Sequence, residues 1–300
     1  SALDKEKLLN FCSIMFFISF IFLLMVPLIG VEVKGSKRWI DLSFLPRFQP
    51  IEFVKPFTVV ILSLLLSFQK IKGIYLKYFF TLIIILPIIF LLVIQPDIGQ
   101  TFLIVSLWMA LIFVSGINLF LFFPLLFILS IFLSYIIIYV PKFSYIKKRI
   151  ISYLDSSQGD NYQSDKASEA IMNGGFFGKG IGEGTLNSKV PEAHTDYIIS
   201  VISEEFGVII VILIMLIYLF LAFKVVKKID NENDETIKLI LLGSITLILL
   251  QIITHIGVNI SFFPTTGMTL PFLSYGGSSI ISTAIFSGII LNLTKRKIQY

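Results

Sequence analysis

Phe79-Phe-Thr-Leu-Ile-Ile-Ile-Leu-Pro-Ile-Ile-Phe-Leu-Leu-Val-Ile94 carries no charged residue. An unbroken apolar run of this kind suits a transmembrane helix, which needs ~20 such residues, whereas the strands of a membrane barrel alternate apolar and polar in pieces of ~10. Working outward, apolar segments recur at 8–29, 51–68, 75–95, 99–117, 119–140, 196–223, 237–260 and 275–293. The expected fold is therefore all-α: a polytopic integral membrane helix bundle of about eight spans. The composition agrees, with 56% hydrophobic and only 14% charged residues over 300 positions and a mean hydropathy of +0.92, far from the ~25% charge of a soluble domain. A soluble Rossmann or barrel enzyme is excluded. The first segment is too long for the core of a secretory signal, and no small-residue cleavage site follows it.

Cys12 is the single cysteine, so there is no disulfide framework, and with two histidines no Cys/His metal set can be assembled. The net charge of +5 is modest, and no basic block interleaved with aromatics tracks a nucleic-acid backbone. The basic residues serve topology instead. Those within 5–7, 70–77, 224–238 and 295–297 outnumber Lys34, Lys37, Arg38 and Arg47 in the opposite short loops, which favours both termini in the cytoplasm. The long connection 141–195 then lies outside, with basic residues of its own that weaken the bias. The sequence starts Ser-Ala-Leu-Asp without Met, as a fragment would.

Polar groups at membrane depth cost roughly 2.5–3.5 kcal/mol per charge on insertion scales, so each cluster needs an account. In the first, Lys34-Gly-Ser-Lys-Arg-Trp39 runs into Phe48-Gln-Pro-Ile-Glu52-Phe-Val-Lys55. Glu52 and Lys55 share a helix face and can neutralise each other. Alternatively Lys55, with Lys37, Arg38 and Arg47, forms a cationic rim for an anionic lipid headgroup such as a pyrophosphate. Trp39 reads most simply as an interfacial anchor. In Gln95-Pro-Asp97 the simplest role of Asp97 is to cap the next helix, with a catalytic role as the rival.

The third cluster lies in 141–195, from Gln158-Gly-Asp-Asn-Tyr-Gln163 through six glycines within 174–184 to Val190-Pro-Glu-Ala-His-Thr-Asp196. The glycines would let backbone amides approach an anionic ligand, or would merely make a flexible loop. Without a preceding strand they are no dinucleotide fingerprint. Glu192, His194 and Asp196 converge where the loop enters an apolar helix. Asp196 either caps that helix or, partly desolvated at the membrane boundary, has the basicity of a general base. Glu204 and Glu205 are unsuited to facing lipid. The fourth cluster, Asn259 to Ser279, with Pro264, Pro271, Gly276 and Gly277, implies non-helical backbone buried in protein or lining a wet cavity. His255 reads as a hydrogen-bonded bundle residue.

Taken in order, seven segments resemble the SEDS family of bacterial cell-wall proteins (shape, elongation, division and sporulation). They are Lys37-Arg-Trp-Ile40, Gln49-Pro-Ile-Glu52 with Lys55, Gln95-Pro-Asp97, Gly174-Gly with Gly178-Lys-Gly180, Pro191-Glu-Ala-His-Thr-Asp196, Glu204-Glu-Phe-Gly207 and Leu270-Pro-Phe-Leu-Ser-Tyr-Gly-Gly-Ser-Ser279. Pro264-Thr-Thr-Gly-Met-Thr-Leu-Pro271 is more similar to division than to elongation members. The sequence departs from the pattern at Ile51, Gln100 and Thr266, where the family more often has Ser, Thr and, in division members, Lys. By motif the first helix aligns with the family's third, so two N-terminal helices of a pattern of about ten are expected to be missing.

The resemblance implies a peptidoglycan glycosyltransferase of the bacterial cytoplasmic membrane that polymerises lipid II at the division septum. It also implies a class B penicillin-binding protein and other division proteins as partners. Asp196 is the expected catalytic base. Arg38, Trp39, Glu52, Lys55, Glu192 and His194 are the expected substrate-binding residues. No cofactor is implied with certainty, although a divalent cation such as Mg2+ would suit the pyrophosphate. Two rival functions keep the same polar bundle: a lipid II flippase, for which no inverted repeat or paired broken helices are visible, and a non-catalytic division scaffold.

Overall fold

The computed structural model describes residues 3–33, 36–42, 45–144, 147, 151, 153, 162–185 and 192–295. Of the features read from the sequence, Lys34, Gln158–Asn161, Val190–Pro191, Arg296 and Lys297 lie outside the described residues. Seven described helices are long and apolar enough to cross a membrane: α1 (Lys5–Ile29), α2 (Pro50–Ser67), α3 (Ile74–Ile94), α5 (Leu119–Tyr139), α8 (Val208–Asp230), α9 (Glu235–Asn259) and α10 (Gly277–Thr294). An eighth apolar helix, α4 (Ile98–Val114), has 17 residues. The expected spans are thus all present as helices, with one correction at 196–223.

That segment is two helices. The short α7 (Ile198–Phe206) ends at Gly207, and α8 starts at the next residue. Gly207 has φ +84°, and a Cβ there would lie 2.2 Å from the Phe176 carbonyl oxygen. Only glycine tolerates both the left-handed backbone and that approach. A second difference lies between α1 and α2, where the polar stretch forms a small antiparallel sheet of β1 (Val31–Val33), β2 (Ser36–Leu42) and β3 (Leu45–Phe48), in the order β1-β2-β3. Val31 faces Trp39, and Ile40 faces Phe48.

The chain divides into two compact units. One contains residues 1–123, 223–248 and 277–300, the other 124–222 and 249–276. In the first, α2 is the central helix, 72% of its apolar window buried, and it packs against α1, α3, α4 and α10. Pro50 opens it at a position where the missing N–H costs nothing. In α9 of the same unit, a Cβ on Gly243 would meet Val59 at 2.8 Å and Leu107 and Leu111 at 3.3 Å, the close approach that small residues give to membrane helices.

In the second unit, α6 (Tyr162–Gly174) packs on α7. In the segment following α6, several amides are taken by the protein's own backbone rather than left for an anionic ligand. Lys179 N and Gly180 N donate to the carbonyls of Glu204 and Glu205 at 2.9 and 3.0 Å, and Val208 N donates back to Gly175 O at 3.0 Å. Cβ atoms on Gly174 and Gly178 would stand 1.9 and 2.2 Å from Ser203 O and Glu205 O. These glycines let one backbone lie against another and satisfy the C-terminal carbonyls of α7. Glu204 is fully buried and accepts from Asn173 Nδ2 at 2.9 Å and Thr185 N at 3.0 Å. A carboxylate that could not face lipid is thereby turned inward.

Candidate active site

The expected site residues fall into two groups, one in each unit. Arg38, Trp39, Glu52 and Lys55 belong to the first. Lys55, 1% exposed, donates to Glu52 Oε1 at 2.8 Å, and Gln100 Nε2 donates to the same oxygen at 2.7 Å. This is the neutralised pair that the three-residue spacing allowed, and the ammonium is not offered at the surface of the unit. Gln100, a departure from the family pattern, has its own task here: holding Glu52.

Asp97 lies in the turn between α3 and α4, 3% exposed. It caps α4 by accepting from Gln100 N at 3.4 Å. It also does more than cap, since Gln49 Nε2 donates to it at 2.9 Å and Arg38 Nη1 stands 3.6 Å away. Burial pushes the Asp97 carboxyl above the ordinary carboxylate range, while the Arg38 guanidinium and the Gln100 amide pull it back. Arg38 donates from Nε to the Gln95 carbonyl at 3.2 Å and from Nη2 to the Pro96 carbonyl, so β2 is locked onto the Gln95–Asp97 turn. Trp39 is half-buried on β2. Gln49 N donates to Ser278 Oγ at 2.9 Å, joining α2 to the first turn of α10.

Glu192, His194 and Asp196 belong to the second unit, in the turn that leads into α7. Glu192 and His194 are exposed and Asp196 is half-buried. Glu192 takes φ +58°, uncommon for a residue with a side chain. Its carbonyl accepts from Thr195 N and Asp196 N at 3.1 and 3.0 Å, and Thr195 Oγ1 donates to its carboxylate at 3.0 Å.

The turn is held from outside at three consecutive carbonyls. Tyr275 N donates to His194 O at 2.9 Å, Ser274 Oγ to Thr195 O at 2.6 Å, and Asn259 Nδ2 to Asp196 O at 3.0 Å. The N-cap of α7 is Tyr197, and the Ser200 amide, which an N-cap side chain would ordinarily take, donates to Asn259 Oδ1 at 3.2 Å. Gly267, at φ +69°, passes close enough that a Cβ on it would lie 3.5 Å from Asp196 Oδ2. His255 is buried with Nδ1 2.7 Å from Met268 O, the bundle role expected of it.

Sequence reading did not single out Asn259, Ser274, Gln49 or Gln100 as site residues and left Asp97 between a cap and a catalytic role. A polar residue at the end of an apolar span was the available signal for Asn259. Among the described residues no three or more of His, Cys, Asp and Glu come together to hold a metal ion.

A family model described as "Cell cycle protein", covering FtsW, RodA and SpoVE, matches residues 1–299. The chain belongs to the FtsW/RodA/SpoVE family. Curated relatives in the family include a probable peptidoglycan glycosyltransferase FtsW of Caulobacter vibrioides, 33% identical over 91% of this chain and 69% of its own length. A protein of the same description in Coxiella burnetii is 34% identical, over 93% of this chain and 77% of its own. Among solved folds, a chain of a peptidoglycan synthase complex that coordinates polymerization and crosslinking superposes with a TM-score of 0.81 at 24% identity, covering 100% of this chain and 85% of that one. The rod-shape-determining protein RodA of Thermus thermophilus superposes with a TM-score of 0.71, also at 24% identity, over 99% and 82% of the two chains. Both have the helical membrane fold found here.

Proposed function

We propose that this multi-pass membrane protein is a peptidoglycan glycosyltransferase and that Asp196 is its general base. The observation that carries the assignment is the turn 192–197. Three carbonyls in succession are fixed by Tyr275, Ser274 and Asn259, and the turn carries a half-buried carboxylate two residues past the exposed His194. The relatives named peptidoglycan glycosyltransferase supply the reaction class.

The substrate is lipid II, whose sugar is linked α to undecaprenyl pyrophosphate, and the product bond is β-1,4. In this inverting transfer Asp196 takes the proton from the acceptor's 4-hydroxyl. The freed oxygen pair forms the bond to the donor's anomeric carbon, the bond from that carbon to pyrophosphate oxygen breaks, and its electron pair leaves with the pyrophosphate. The proton passes from Asp196 to water, for which half-burial leaves a route. General-base catalysis of this kind contributes ~10²–10⁴-fold, about 3–5 kcal/mol of barrier.

The other roles are assigned on residue chemistry rather than geometry. Arg38 supplies positive charge toward the leaving group. The buried Glu52–Lys55 pair supports α2. Trp39, Glu192 and His194 contact the sugars or lipid. Further proposals are a class B penicillin-binding protein as partner, work at the division septum alongside other division proteins, and an extracytoplasmic 141–195 segment.

Full-length protein, purified with its penicillin-binding protein whose own transpeptidase is blocked and given labelled lipid II, is expected to yield glycan ladders. A folded, partner-bound complex that makes none, while lipid II crosses liposome membranes, would favour a flippase instead.

A further inference from the structure

Three hydrogen bonds hold the carbonyls of His194, Thr195 and Asp196, and two of them come from side chains outside the turn. Ser274 is 3% exposed and Asn259 fully buried. Each is doubly engaged: Ser274 Oγ also accepts from Leu270 N at 2.7 Å, and Asn259 Nδ2 also donates to His255 O at 2.9 Å while its Oδ1 accepts from Ser200 N. Ser274 therefore ties the 264–276 segment to the turn, and Asn259 ties the turn, the start of α7 and the end of α9 to one another. Both groups act on backbone atoms of, or next to, Asp196. A carboxylate is aimed by its own backbone, and misplacement of a reacting group by ~1 Å can cost 10²-fold in rate.

We infer that Ser274 and Asn259 are positioning residues that aim Asp196 through the carbonyls of Thr195 and Asp196, an inference that rests on the base assignment above. Removing the Ser274 hydroxyl or the Asn259 donor frees one carbonyl of the turn and lets the carboxylate drift. Substrate contacts remain, so turnover falls while apparent affinity for lipid II holds.

The test measures kcat and KM for lipid II polymerisation by the full-length, partner-bound protein. The variants are Ser274→Ala and Asn259→Ala, each alone and combined with Asp196→Glu, which displaces the carboxylate by one methylene. Asn259→Ala frees the Asp196 carbonyl without adding a charge and leaves the Ser274 bond in place, so it decides the matter if Ser274→Ala fails to fold. The expected result is a kcat lower by about 10–100-fold, a KM within about twofold, and a much smaller further loss in the Asp196→Glu background, because residues that act as a unit are non-additive. A folded single variant with wild-type kcat would overturn the inference, as would an equal loss in both backgrounds. Full activity of Asp196→Ala would instead remove the base assignment and take this inference with it.

Discussion

Glu52 and Lys55 neutralise each other at 3% and 1% exposure, whereas Glu192 and His194 are exposed and Asp196 is half-buried. Both clusters sit where polar sequence meets an apolar helix, and both come from the motifs that carry the family resemblance. They differ in what holds them. Around α2, charged side chains are held by other side chains, Lys55 by Glu52 and Asp97 by Gln49 and Arg38. Around the 192–197 turn, backbone carbonyls are held from outside, and Glu192 and His194 stay exposed. A buried charge must be paired or it unfolds the protein, while a group that moves protons must be reachable. Glu52, Lys55 and Asp97 thus read as support and the 192–197 turn as chemistry.

The sharpest attack on this contrast is Lys55→Ala, which leaves Glu52 buried without its cation. A loss of about 3–5 kcal/mol is expected, read as a large drop in melting temperature in detergent. The double change Glu52→Leu with Lys55→Met should recover most of it. Equal damage from both would mean that the pair has a role beyond mutual neutralisation.

Gly207→Ala should come next, at roughly 1–3 kcal/mol, because it meets the Phe176 carbonyl and a positive φ together. Hydrogen exchange at Lys179 and Gly180 should speed up, since their amides bond to the end of α7. Unchanged protection there would contradict the backbone-on-backbone account of the glycines.

Asp97 gives a smaller, pH-dependent effect. Burial raises its carboxyl above the ordinary range, so the folded chain holds that proton more tightly than the unfolded one. The contribution is fully present at low pH and is lost as pH rises through the raised value. Asp97→Asn, which cannot titrate, should lose the slope that sets in as pH rises above the ordinary carboxylate range; parallel pH dependences of melting for the two proteins would count against a buried, titrating Asp97. Smallest of all, Arg47→Ala breaks only the exposed pair with Asp41 at 2.8 Å and should change stability by about 0–1 kcal/mol. A loss as large as that from Lys55→Ala would erase the distinction between buried and exposed pairs.

The spans were legible because a run such as Phe79–Ile94 has no other solvent to live in. Gly207 was not, since hydropathy continues across it and nothing in composition reports a positive φ. The strands of 31–48 were hidden for the opposite reason, being short and polar. At the site, residue type pointed to Asp196, and spacing paired Glu52 with Lys55. Asn259 and Ser274 stayed unseen because their partners are carbonyls 63 and 79 positions away in sequence, a relation only the fold creates. For Gly174 and Gly178 the sequence left a ligand-binding and a structural role open, and the fold shows close approach to the protein's own backbone.

The most direct measurement is the glycan ladder made from labelled lipid II by folded, partner-bound Asp196→Ala beside the unsubstituted protein. Polymerisation slowed by about 10²–10⁴-fold, with lipid II binding retained, is the result expected of a general base; ladders at the unsubstituted rate would contradict it.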